Sequence, residues 1–69
     1  MAVLNSIELE GVSELGWREA AQEALGEASK TLRQIRRLDV LGTSAVVNEN
    51  LVTEYRTQVR LTFEVEQER

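Results

Sequence analysis

The chain contains no cysteine, no proline and no histidine, and each absence removes a class of protein. Without cysteine no disulfide can staple the fold. Without cysteine or histidine the usual ligands of a structural zinc site are missing. Histidine and cysteine are also the commonest general base and the most reactive nucleophile, and no Gly-rich phosphate loop or serine beside an evident base replaces them. The residues therefore describe a binding or assembly module and not an enzyme. Aromatics are scarce, with one Trp, one Tyr and one Phe. No run approaches the 18 or more apolar residues of a membrane span, and residues 1–11 lack the basic start and apolar stretch of a signal peptide. No membrane association and a cytoplasmic location are expected.

What is present is short and acidic. Sixty-nine residues form one domain over 1–69, and 12 acidic against 8 basic residues give a formal charge of −4. That balance argues against a nucleic-acid partner bound through its phosphates. A chain of this size buries only about 60% of the surface its unfolded form exposes, and such domains usually need disulfides, metal or oligomerisation. With the first closed and zinc unfavoured, self-association is the expected support.

Apolar alternation predicts a strand from Val3 to Glu10, with Val3, Asn5, Ile7 and Leu9 on one face and Gly11 ending it. From Trp17 the period changes. Trp17, Ala20, Ala21, Ala24, Leu25, Ala28, Leu32 and Ile35 fall at the spacing of an amphipathic helix. Gly16 is its expected N-cap, and Glu19 and Glu23 near the start with Arg33 and Arg36 near the end complement the macrodipole. Gly26 inside the stripe marks either a close backbone approach or a solvated, tolerated glycine. Leu38 to Val47 predicts a second strand, bulged at Gly42, and Asn48-Glu49-Asn50 a turn. Val52 to Glu66 alternates as a third strand, with Tyr55, Thr57, Val59, Leu61, Phe63 and Val65 inward. Glu66 to Arg69 is a tail expected to fray.

The expected fold is α+β: β-α-β-β, a three-stranded antiparallel sheet packed on one helix, with the third strand between the first two. A strand of about 15 residues approaches 50 Å, more than one helix covers, so the excess must meet another subunit.

Several residues invite a ligand reading beside a plainer one. Trp17 suits stacking, though the start of an apolar stripe is commonly core or interface. Glu19, Glu23 and Glu27 recur at four-residue spacing and read as a solvated face. Arg33, Arg36 and Arg37 form a basic cluster able to receive a phosphate or carboxylate, or simply surface ion pairs. Arg56, Gln58 and Arg60 on the polar face of the third strand face solvent, another subunit or a ligand.

Local motifs carry a family resemblance over nearly the whole chain. Ile7-Glu8-Leu9-Glu10-Gly11-Val12-Ser13, Gly16-Trp17, Ala28-Ser29-Lys30-Thr31-Leu32-Arg33, Arg37-Leu38-Asp39-Val40 and Glu54-Tyr55 running to Phe63-Glu64-Val65 are similar to the dodecins. That family implies a homododecamer that sequesters a flavin: riboflavin, FMN or FAD. It also implies a tryptophan after the helix that stacks on the isoalloxazine ring and a polar residue after the last strand's tyrosine that meets the ring's edge. Those positions are Arg37 and Arg56, with Gln58 a further contact. An arginine in place of the indole implies weakened or replaced flavin binding. The rival expectation is a structural or metal-loaded hollow cage without flavin.

Overall fold

The computed structural model describes residues 1–65, and the expectations for Glu66 to Arg69 lie outside the described residues. The chain forms β1 (Val3–Ser13), α1 (Trp17–Ala28), β2 (Ile35–Asn48) and β3 (Leu51–Val65). The sheet order is β1-β3-β2, and both neighbours run antiparallel to β3. The β-α-β-β order and the central third strand follow the expectation from alternation.

α1 buries Ala20, Ala24 and Ala28 against the sheet. Alanine at these positions lets the helix axis lie close, and Val59 and Leu61 of β3 fill the space beneath with no exposure at all. Ile7, Leu9, Leu25, Leu32, Ile35 and Leu38 flank this small core. Gly16 occupies the N-cap with no side-chain bond.

Three sequence expectations are corrected. The helix ends at Ala28 and not near Ile35. Its last turn tightens, with the Thr31 N–H donating to the Ala28 carbonyl at 3.1 Å and the Lys30 N–H to Glu27 at 3.3 Å; Gln34 then takes a left-handed φ of 58°. Leu32 and Ile35 still reach the core, but from the connection and from β2, where Ile35 pairs with Phe63. Pairing along β3 thus outweighs continuation of the helical stripe. Arg33 and Arg36 consequently lie beyond the helix, which has no basic residue in its last turn.

β1, secondly, does not stop at Gly11 but pairs on to Ser13, opposite Tyr55. Gly11 is where strand and helix touch: a Cβ there would overlap the Ala20 carbonyl oxygen. The close approach belongs to Gly11, whereas a Cβ on Gly26 would meet nothing within 4 Å. β2, thirdly, begins earlier than Leu38, and the register shift between Val40 and Gly42 is the expected bulge, accompanied by others at Ile35/Arg37 and Val46/Val47.

Beyond Tyr55 only β2 and β3 continue, as a ribbon pairing Val46 with Glu54, Val47 with Val52 and Asn48 with Leu51. Glu49 and Asn50 close it at φ 50° and 65°, the left-handed pair of a two-residue hairpin turn. Val47, Leu51 and Val52 on this ribbon are 59%, 68% and 51% exposed. The chain measures 57 × 20 × 12 Å and exposes 5395 Å². A compact monomer of 7.8 kDa exposes about 4,400 Å². Exposed Val47, Leu51 and Val52 lie on this surface, as expected of a subunit that buries part of it against other copies.

Candidate functional site

The helix covers the face of β3 that carries Thr57, Val59 and Leu61, which leaves the alternate residues on the opposite face. There Glu54, Arg56, Gln58, Arg60 and Thr62 run along the middle strand. The register sets Glu8 and Glu10 of β1 beside Arg60 and Gln58, and Arg37, Asp39, Gly42 and Ser44 of β2 beside Thr62, Arg60, Gln58 and Arg56.

These side chains interlock. Arg60 donates to Glu8 at 3.1 Å. Arg56 donates to Glu54 at 2.7 Å and to Glu10 at 3.3 Å. The Gln58 amide donates to the other oxygen of Glu10 at 2.6 Å. Arg37 donates through Nε to Asp39 at 3.0 Å and through Nη2 to Thr62 at 3.3 Å. Thr62 is buried beneath this layer at 4% exposure. The Arg56 guanidinium is held above its ordinary pKa by the hydrogen bond and charge of Glu54 first and of Glu10 second, so it stays a cation. The pairs themselves are half exposed, so solvent screens them and their main effect is to orient the side chains.

Two members of the basic cluster read from the sequence, Arg36 and Arg37, are charge-matched in the fold. Arg36 pairs with Glu64 at 3.1 Å and Arg37 with Asp39. Four carboxylates (Glu8, Glu10, Asp39, Glu54) meet three guanidiniums (Arg37, Arg56, Arg60) on the open face. It carries no cationic excess for a phosphate.

Arg56 and Gln58 are brought together through Glu10. Arg37 is not: it sits opposite Thr62, six residues along β3 from Arg56, or about 20 Å at the rise of a strand. A three-ring ligand cannot touch both within one chain, so a site that unites them takes Arg37 and Arg56 from different copies. Trp17 lies on the helix side. Its indole N–H donates to the Ser44 carbonyl at 2.9 Å, its ring meets Tyr55 edge-on at 4.9 Å, and its own carbonyl accepts from Thr57 Oγ1 at 2.8 Å. This is the core or interface role and not a stacking platform on the site face. A groove of about 420 Å³ opens near the end of β3 beside Leu32, Gln34 and Phe63, away from Arg37, Arg56 and Gln58.

Glu10 and Glu54 are the site residues that sequence reasoning passed over. The signal for Glu54 is its two-residue spacing from Arg56 on one strand face; that for Glu10 is the charge complement of Glu8-Leu9-Glu10 to Arg56-Thr57-Gln58-Val59-Arg60, which becomes visible once the two strands are set antiparallel.

Comparison with known proteins agrees with this geometry. The dodecin family model matches residues 3–66. The chain belongs to the dodecin family. A curated dodecin from Thermus thermophilus is 35% identical over 65 residues, covering 94% of each chain. A crystal structure of a T. thermophilus protein superposes with a TM-score of 0.92 at 34% identity, over 99% of this chain and 100% of that one. A calcium dodecin from Mycobacterium tuberculosis, described as calcium-chelating with a novel calcium-binding site, is 25% identical with a TM-score of 0.83, over 99% and 97% of the two chains. Dodecins are non-enzymatic binding proteins that take up flavins and form homododecamers. Among the described residues no three or more Asp, Glu, His or Cys gather as a metal site, and no helix is long and apolar enough to cross a membrane.

Proposed function

We propose that this dodecin assembles as a homododecamer of single-domain subunits in the cytoplasm and sequesters a flavin on the open sheet face, between copies, more weakly than dodecins with a stacking indole. The observation that carries the reading is the Arg37–Asp39 pair. Were Arg37 unpaired, two symmetry-related guanidiniums would repel each other and an apolar ring between them would be unfavourable. With Asp39 and Thr62 holding it, the guanidinium is a planar, neutralised surface on which a flat ring can lie. Arg56 and Gln58 of another copy supply the polar groups for the ring's edge. These residues fit a flat ligand with a polar rim, though they lack the roughly 0.5–1.5 kcal/mol of an indole stack.

Absorption of the purified assembly tests this: a flavin band, and riboflavin, FMN or FAD among ligands released into mass spectrometry, is the expected result. A second reading, the calcium-loaded or purely structural cage, is favoured by the likeness to the M. tuberculosis calcium dodecin. Colourless protein that loses thermal stability on chelation would replace the flavin reading with that one.

A further inference from the structure

Glu10 bonds both Arg56 and Gln58, at 3.3 and 2.6 Å, from a neighbouring strand. A carboxylate accepts only, so the end of Gln58 that faces Glu10 must be its NH₂. The carbonyl oxygen of Gln58 is thereby turned over Gly42, where it stands 3.1 Å from the place a Cβ would occupy. Any side chain at position 42 would press on it. The group offered at this point of the face is thus an acceptor, and Arg56, two positions along β3, is matched by Glu10 on one side and Glu54 on the other.

We propose that Glu10 is a specificity-determining residue of the sheet face: it orients Gln58 as an acceptor and screens Arg56, selecting a neutral, hydrogen-donating ligand edge over an anionic ligand. The selection rests on the flavin reading above and names the preferred member of that class, the uncharged riboflavin over the phosphate-bearing FMN. Glu10 is 40% exposed, so its charge acts through solvent and is weakened by salt.

The test titrates riboflavin and FMN separately into the parent, Glu10→Gln and Glu10→Val, at low and at high salt. The parent should bind riboflavin at least as tightly as FMN. Both variants should raise the FMN to riboflavin affinity ratio about five-fold at low salt, the scale of removing one charge within about a Debye length of a phosphate dianion, and by far less near 0.5 M salt. Glu10→Gln keeps an acceptor for the Gln58 amide and should keep riboflavin affinity; Glu10→Val should lose it by about three-fold or more. A merely structural role would lower both ligands equally. Flavin bound by all three proteins with an unchanged ratio overturns the proposal. Failure of the parent and both variants to bind either flavin overturns the flavin reading instead. Crystal structures of the parent and Glu10→Val then decide the role of Glu10: a Gln58 amide that swings off Gly42 in the variant supports it, and one that stays in place overturns it.

Discussion

Gly11 and Gly26 make opposite demands on the same substitution. A Cβ added to Gly11 overlaps the Ala20 carbonyl oxygen and comes within 2.7 Å of the Ala20 carbonyl carbon and 3.2 Å of the Ala24 Cβ. The first two are backbone atoms of α1 and cannot rotate away. Relief requires β1 and α1 to separate by on the order of 1 Å, a gap that forfeits a quarter to a half of the dispersion contact along the interface. That interface is most of the core, since Ala24, Ala28, Val59 and Leu61 are packed across it. Overpacking ordinarily costs 1–3 kcal/mol, and with rigid backbone on the receiving side Gly11→Ala should cost about 3 kcal/mol or more. Gly26→Ala meets open space and removes a helix-interior glycine, so it should gain about 0.5–1 kcal/mol. At roughly 4–8 °C per kcal/mol for a domain of this size, the two variants should melt at least 14 °C apart. Thermal and urea unfolding, run at one fixed protomer concentration because the assembly contributes to stability, measures this. A Gly11→Ala protein that melts within a degree or two of the parent would refute the helix–strand packing on which the fold description rests.

Arg37→Trp should raise riboflavin affinity about five-fold through about 1 kcal/mol of stacking, read by quenching of flavin fluorescence; an assembled variant that quenches no better than the parent would show that the face does not hold the ring. Light scattering should find a dodecamer with no folded monomer at micromolar concentration, and the melting temperature should rise with protomer concentration. Glu49→Asn places a residue tolerant of left-handed backbone at φ 50° and should stabilise by up to about 1 kcal/mol in urea titration. Trp17→Phe leaves the Ser44 carbonyl without its 2.9 Å donor and should cost about 1 kcal/mol on the same measurement.

The topology was legible because two periods suffice for it. Alternation from Val52 onward and the Ala20, Ala24, Ala28 stripe name a long central strand and the helix that covers it, and no competing pattern exists in a chain this short. Element ends were less legible. Leu32 and Ile35 satisfy a helical stripe as well as they satisfy a strand and its approach. The contest is decided by Ile35 pairing with Phe63 and Leu38 with Leu61, contacts between residues more than twenty positions apart. Gly11 read as a strand terminator for a similar reason: a glycine that ends pairing and a glycine that admits a helix backbone look alike until the helix is laid down.

The open face divides the same way. Arg37, Arg56 and Gln58 could be named from the sequence, since resemblance to a family marks positions one by one. Asp39, two residues from Arg37, could be named as its counter-charge as well, but Glu10 could not, because Glu10 and Gln58 are 48 residues apart and meet only through the β1–β3 register. That register is fixed by the buried side of the sheet, where Leu9 faces Val59 and Ile7 faces Leu61. A slip of one residue would turn every one of these side chains to the other face. The hydrophobic contacts beneath the helix therefore set which carboxylate meets which guanidinium on the side away from it. The polar groups a ligand would meet are chosen by the core behind them.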